Sequence, residues 1–252
     1  MKNLLLLFLF TFVWVCLLPL YPSVSVKEEK PVPEDEYVIS VMLGMTEDIL
    51  PPESLKAIAV TVRTYTAYHG KVLPVATVTP SDDLYGAVSD AVYATSGEVL
   101  TYSGKIINAC FHTCSHKSTA DGDAPYLKSV PTVDESGYKG FFGEKIITPQ
   151  EIELFGKGNI LSVSYGSDGR VKSVELEHGS VSQNEFTEYF SLNSTDFTVN
   201  SLPDGGYTVF TRGIGNGYGL SLYGACLLGD EGKSYTEILN TYFTSVTLTR
   251  KT

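Results

Sequence analysis

The chain is short of positive charge. Lysine and arginine number 18 against 29 aspartates and glutamates, leaving a net charge of −11. No basic run offsets this, so nucleic acid is not the expected partner. Charge of either sign is missing from Asn3 to Val26, where "LLLLFLFTFVWVCLLPL" is almost wholly apolar. Lys2 ahead of such a run reads as an export signal. A small-residue cleavage pattern is weak, and roughly 20 apolar residues suffice to span a bilayer. A cleaved signal peptide and a retained N-terminal membrane anchor therefore both stay open for residues 1–26. The small residues that a lipoprotein signal needs before Cys16 are missing too. Residues 27–36, "KEEKPVPEDE", read as a hydrophilic linker. The remainder, 37–252, is expected to work outside the cytoplasm.

Cysteine is scarce. Of four, only Cys110, Cys114 and Cys226 lie beyond the apolar run. An odd number permits at most one disulfide within the chain. Cys110 and Cys114 would sit about 13 Å apart along one strand, too far for a bridge. A bridge from either to Cys226 stays open. Internal repeats are absent. What is there is an ordinary folded composition, 43% hydrophobic and 19% charged, in a chain long enough for a sizeable core.

Periodicity outlines the elements. "PPESLKAIAVTVRTYTAYH" places Leu55, Ala59, Val62 and Tyr65 or Thr66 on one helical face. Pro51 and Pro52 suit its entrance, and Glu53 suits the positive end of its dipole. "EYVISVMLGM" before it is apolar and fits strand or helix. A second helix is expected from Asp82 to Ser96, capped by Ser81 and stopped at Gly97. Three hairpins follow from turn chemistry. They turn at Ser103-Gly104, at Ser167-Asp168-Gly169 and through Pro203 to Gly206. The glycine-rich "GIGNGYGLSLYGA" is expected to turn tightly into a helix from Tyr218 to Leu228. "SYTEILNTYF" reads as helix and "SVTLTR" as a closing strand. The class is α+β, antiparallel β-hairpins with packed helices.

"CFHTCSHKST", residues 110–119, alternates Cys110, His112, Cys114 and His116 with other residues. Cys and His are the common zinc ligands. On one strand all four would share a face but could not all converge on one ion. Two neighbours plus a third after a bend could, which makes His112, Cys114 and His116 the candidate metal set. Packing roles and a disulfide stay open beside it. The glycines at 213, 215, 217 and 219 lack the strand-to-helix unit of a nucleotide cradle.

Three segments, in order, carry a resemblance. "YVISVMLGMTEDILPPESLKAIAVTVRTY", "AVYATSGEVLTYSGKIINACFHTCSHKST" and "RGIGNGYGLSLYGACLLGDEGKSYTEILNTYF" resemble the stage II sporulation protein D (SpoIID) family, with its LytB-type amidase enhancers. The resemblance spans Tyr37 to about Thr249. It implies a SpoIID-like domain and a role in sporulation-linked cell-wall remodelling. Peptidoglycan glycan strands would be the partner, cut by a lytic transglycosylase or gripped by an enhancer of a wall amidase. The chemistry needs a single acid and no cofactor, since the sugar's own C6 hydroxyl closes on C1. A structural zinc held by His and Cys ligands is known among relatives.

The departures matter as much. The family's catalytic glutamate falls on Met45, which cannot donate a proton. Glu47, two residues on, would point about 200° away on a helix. Glu53 matches the family's helix-start glutamate. These two are the candidates for a displaced acid. The family's loop histidine is Asn216 and its glutamine is Leu222. Arg63, His112, Ser115, Asn216 and Tyr223 are the candidate substrate-binding residues. Arg63 would clamp a carboxylate bidentately, or serve an internal ion pair. Tyr223 would stack on a sugar, or pack in the core.

Overall fold

In a computed structural model of the protein, the described residues are 33–46, 48–77 and 79–251. The expected export segment, most of the linker and Glu47 lie outside them. Among the described residues no helix is long and apolar enough to cross a membrane.

Two apolar cores organise the α+β domain. The first is helical. Helix α1 spans Glu34–Leu43, α2 spans Pro52–His69 and α3 spans Asp82–Ala94. The "EYVISVMLGM" stretch is therefore helix: Tyr37, Val38, Val41 and Met42 recur at helical spacing, and all are buried. Helix α2 starts at Pro51–Pro52 with Glu53 in its first turn, as its sequence predicts, and stops at Gly70. Leu55, Ala59 and Val62 are buried at 1%, 0% and 0% exposure. Burial of Leu55 and of Val62 each stabilises the fold by roughly 1.5–3 kcal/mol. Ser81 caps α3 by accepting from the Leu84 amide. Strand β1 (Glu98–Tyr102) lies between β2 (Lys105–Ile106) and the closing strand β11 (Thr247–Arg250). Helices α6 (Leu222–Asp230) and α7 (Tyr235–Tyr242) complete this core.

The second core belongs to the hairpins. Strands β4 (Phe142–Ile147), β9 (Tyr207–Arg212) and β8 (Phe197–Ser201) form one sheet in that order. Strands β5 (Ile160–Tyr165), β6 (Val171–Leu176) and β7 (Gly179–Ser182) form another. Helices α4 (Pro149–Phe155) and α5 (Gln183–Tyr189) pack Ile152 and Phe186 onto them. Both hairpins turn where their Gly-containing loops predict.

Two expectations need correction. The run after Ser103-Gly104 is not one long strand. It leaves β1 after Ile106, and Phe111–His112 form a separate two-residue strand, β3, parallel to β10 (Leu220–Ser221). The alternation of Cys110 to His116 along a strand face is therefore lost. The glycine loop also delays its helix to Leu222. Gly213, Gly215, Gly217 and Gly219 all have positive φ, a backbone that cannot continue as a right-handed helix.

Candidate functional site

The first recess is a groove of about 420 Å³ at the end of α1. Met45 lines it together with Thr113, Tyr138, Leu222 and Tyr223. The two departures from the family pattern at Met45 and Leu222 thus meet in one place, over the start of α2 and α6. Tyr223 packs edge-on against Tyr138, with ring centroids 5.0 Å apart, and its amide donates to the Thr113 carbonyl. Asp48 and Asp230 are the carboxylates on the wall, and both are exposed. At Met45 and Leu222 the groove presents thioether and aliphatic surface where the resemblance implied an acid and an amide.

Glu53 does not reach this groove. Its carboxylate takes the Lys56 ammonium at 2.7 Å and the Tyr235 amide at 2.8 Å. The Lys56 bond, then the Tyr235 amide, hold its pKa below the ordinary value. It is ionised and spent on joining α2 to α7, so the expectation of Glu53 as a proton donor is corrected.

Arg63 is wholly buried, at 0% exposure. Its Nε and Nη2 donate to Asp35 Oδ1 at 3.2 and 3.0 Å. Nη1 reaches the Glu98 carbonyl and Nη2 the Val92 carbonyl. The internal ion pair is the arrangement found, and no donor is left to face a ligand.

Behind the groove lies a polar knot that the sequence did not announce. His112 Nδ1 donates to the Tyr218 carbonyl at 3.1 Å, which leaves Nε2 to accept from the Ser115 hydroxyl at 2.5 Å. Burial pushes the imidazole pKa down to about 4, so the ring is neutral. Glu135 is 1% exposed. Its Oε2 accepts from the Ser115 amide at 2.7 Å and the Ser221 hydroxyl at 2.6 Å. Ser221 in turn caps α6 through the Gly224 amide. One carboxylate oxygen thus fastens the 113–115 turn to the α6 N-terminus. Burial raises the Glu135 pKa to about 7 despite these bonds. Oε1 has no hydrogen-bond partner among the described residues. "VDES" around Glu135 reads as a loop, because the 86-residue separation from Ser221 leaves no local signal.

The candidate metal set does not converge. Both ring nitrogens of His112 are occupied, and His116 Nδ1 pairs with Asp196 Oδ2 at 3.1 Å. Burial drives the Cys114 thiol up to about 11, which disfavours the thiolate that zinc needs. Among the described residues no group of three or more His, Cys, Asp or Glu side chains is placed to hold a metal. Cys110, Cys114 and Cys226 are all free, so no bridge to Cys226 forms. Ser115, at 1% exposure, faces the knot rather than a ligand.

Asn216 lies elsewhere. It is exposed and lines a second recess, of about 410 Å³, with Arg170, Tyr218 and Gln183. The candidate substrate-binding residues therefore divide. Tyr223 flanks the apolar groove, Asn216 the polar recess, and Arg63, His112 and Ser115 are structural interior.

A family model described as "Stage II sporulation protein" matches residues 23–102, whose described part is α1 to β1. Stage II sporulation protein D of Bacillus subtilis (strain 168) is 27% identical over 265 aligned residues, covering 90% of this chain and 77% of the relative. The protein of the same name from Bacillus amyloliquefaciens is 26% identical, over 85% of this chain and 74% of its own. An uncharacterised Brachyspira hyodysenteriae protein is 25% identical, over 84% and 65%.

Proposed function

We propose, from the premise that this chain belongs to the stage II sporulation protein D family, that it is an exported wall-binding member of the family. It grips peptidoglycan glycan strands without cutting them, or enhances a wall amidase. The observation that carries this reading is the pairing of Met45 with Leu222 in one apolar groove. An acid would be needed there for proton transfer to a glycosidic oxygen. A methionine and a leucine leave a surface suited to the apolar face of a sugar, with Tyr138 and Tyr223 beside it.

A cutting enzyme with a displaced acid has one observation in its favour. Glu135 holds a proton near neutrality, as a general acid should. Its 1% exposure keeps it from any glycan.

The test is product analysis. Peptide-free glycan strands are incubated with the chain from residue 27 onward, and 1,6-anhydro ends are sought by mass spectrometry. We expect pull-down on glycan and no anhydro products. Met45→Glu should then introduce cleavage, since a placed acid contributes roughly 10²–10⁴-fold. Products from the wild type that vanish in Glu47→Gln, Glu53→Gln or Glu135→Gln would name a displaced acid and overturn the reading.

A further inference from the structure

The second recess holds a buried cation with no direct ion pair; the carboxylates that favour its charge, Asp196 and Asp168, lie beyond ion-pair distance. Arg170 follows the β5–β6 turn and is 5% exposed. Its Nη1 donates to the Ser118 carbonyl at 3.2 Å. Its Nε is buried with no hydrogen-bond partner. Among the described residues no carboxylate oxygen lies within 4.0 Å of the guanidinium. Asp196, the carboxylate that would naturally answer it, is already taken by Arg212 at 2.7 Å and by His116. Burying an arginine in this way is costly unless something supplies the missing acceptor. Burial accordingly lowers the Arg170 pKa.

The glycine loop makes the seat. A Cβ on Gly217 would come within 2.5 Å of Arg170 Nη2 and 2.7 Å of its Cζ. Only a glycine lets the guanidinium lie against that backbone, and the φ of +79° at Gly217 suits no other residue as well. The seat is thus built into the loop rather than left over from packing.

The rim sets the sign of what fits. Three cations, Arg170, Lys128 and Lys172, face three carboxylates, Asp121, Asp123 and Asp168. Asp168 is spent on the amides of Arg170 and Asp121, and Asp121 is paired with Lys128 at 3.6 Å. Asp123 and Lys172 make no hydrogen bond or ion pair among the described residues. The uncommitted groups are therefore Arg170 and Lys172 on one side and Asp123 on the other. A polyanion such as phosphate would meet three carboxylates. A group carrying both a carboxylate and an ammonium meets neither conflict.

We infer that this recess binds a zwitterionic amino-acid or peptide terminus, its carboxylate on Arg170 and its ammonium on Asp123. The volume of about 410 Å³ suits a small ligand. The chemical class follows from the recess itself. Only a wall origin, a peptide branching from the glycan, rests on the reading above. The two fail separately, because peptide-free strands test the groove and dipeptides test the recess.

The reporter is the Arg170 Nε–H resonance in a ¹⁵N spectrum of the full chain in detergent, with the Arg63 Nε–H as internal control. The probe is alanyl-alanine, compared with acetyl-alanyl-alanine, alanyl-alanine amide and inorganic phosphate. Alanyl-alanine should move the Arg170 signal in the millimolar range and leave Arg63 still. The amide, lacking the carboxylate, should bind roughly ten- to a hundredfold more weakly. The acetyl form and Asp123→Asn should each lose about two- to fivefold. Arg170→Met, with the Arg63 signal intact as proof of folding, should not bind, as read on the amides of Gly217 and Tyr218. No response to alanyl-alanine, an equal response to phosphate, or full binding by folded Arg170→Met would each overturn the inference.

Discussion

Two arginines lie inside this protein, and they are treated in opposite ways. Arg63, in the helical half, has two bonds to Asp35, carbonyls from β1 and α3, and the Thr95 hydroxyl for its donors. Arg170, in the hairpin half, has one carbonyl and a bare Nε. A buried charge that is fully answered holds elements together. One left unanswered marks a place where the fold carries a cost that a ligand would offset. The first fastens α1 to α2 and α3, inside the stretch that the family model matches. The second sits beyond that stretch, beside the glycine loop of positions 213, 215, 217 and 219.

The strongest way to break the comparison is to orphan Arg63. Asp35→Ala should cost about 3–5 kcal/mol, toward the lower figure because the Asp35 side chain is 22% exposed. Chemical denaturation with an unchanged m-value would measure it. A loss under about 1 kcal/mol would mean the pair is no more than a surface bridge.

Glu135 is a third buried ionisable group, and its partners answer it only in part. One oxygen accepts two hydrogen bonds and the other accepts none among the described residues. Its pKa rises from an ordinary 4.5 to about 7 on folding. The folded state therefore keeps a proton that the unfolded chain gives up. This contribution is full below pH 4.5, is lost as pH climbs to 7, and is level beyond. The span is about 3 kcal/mol. Glu135→Gln should flatten that slope in urea midpoints taken across the range. An unaltered slope would assign it to other groups.

Gly217→Ala sharpens the contrast from the Arg170 side. The added Cβ strains a positive φ and displaces the guanidinium, for an expected loss of about 1–3 kcal/mol. The Arg170 Nε–H signal should shift with it, and its constancy would place the strain elsewhere. The smallest effect belongs to Arg170→Met. Removing an unpaired buried charge for an apolar chain of similar length should leave stability within about 1 kcal/mol, or raise it. Arg63→Met should be clearly destabilising, since Asp35 loses its partner. Equal losses at both sites would erase the distinction.

Much of the fold was legible from local chemistry. The prolines and Glu53 mark the start of α2, Ser81 caps α3, and Asp168-Gly169 and Pro203 to Gly206 turn their hairpins. Each of these acts within a few residues, so the sequence carries it openly. The site was only half legible. Met45 and Leu222 stood out singly, yet nothing in the chain said that they share a groove while Asn216 lies in another recess.

The sequence by itself determined the α+β class, most helix ends and hairpin turns, and the resemblance to the stage II sporulation protein D family. Tertiary structure alone decided which buried charges are answered. Asp35 reaches Arg63 across 28 residues, and Glu135 reaches Ser221 across 86. Asp196 is turned to Arg212 and His116 rather than to Arg170. Such pairings depend on where distant segments pack, and short-range propensity carries no record of that.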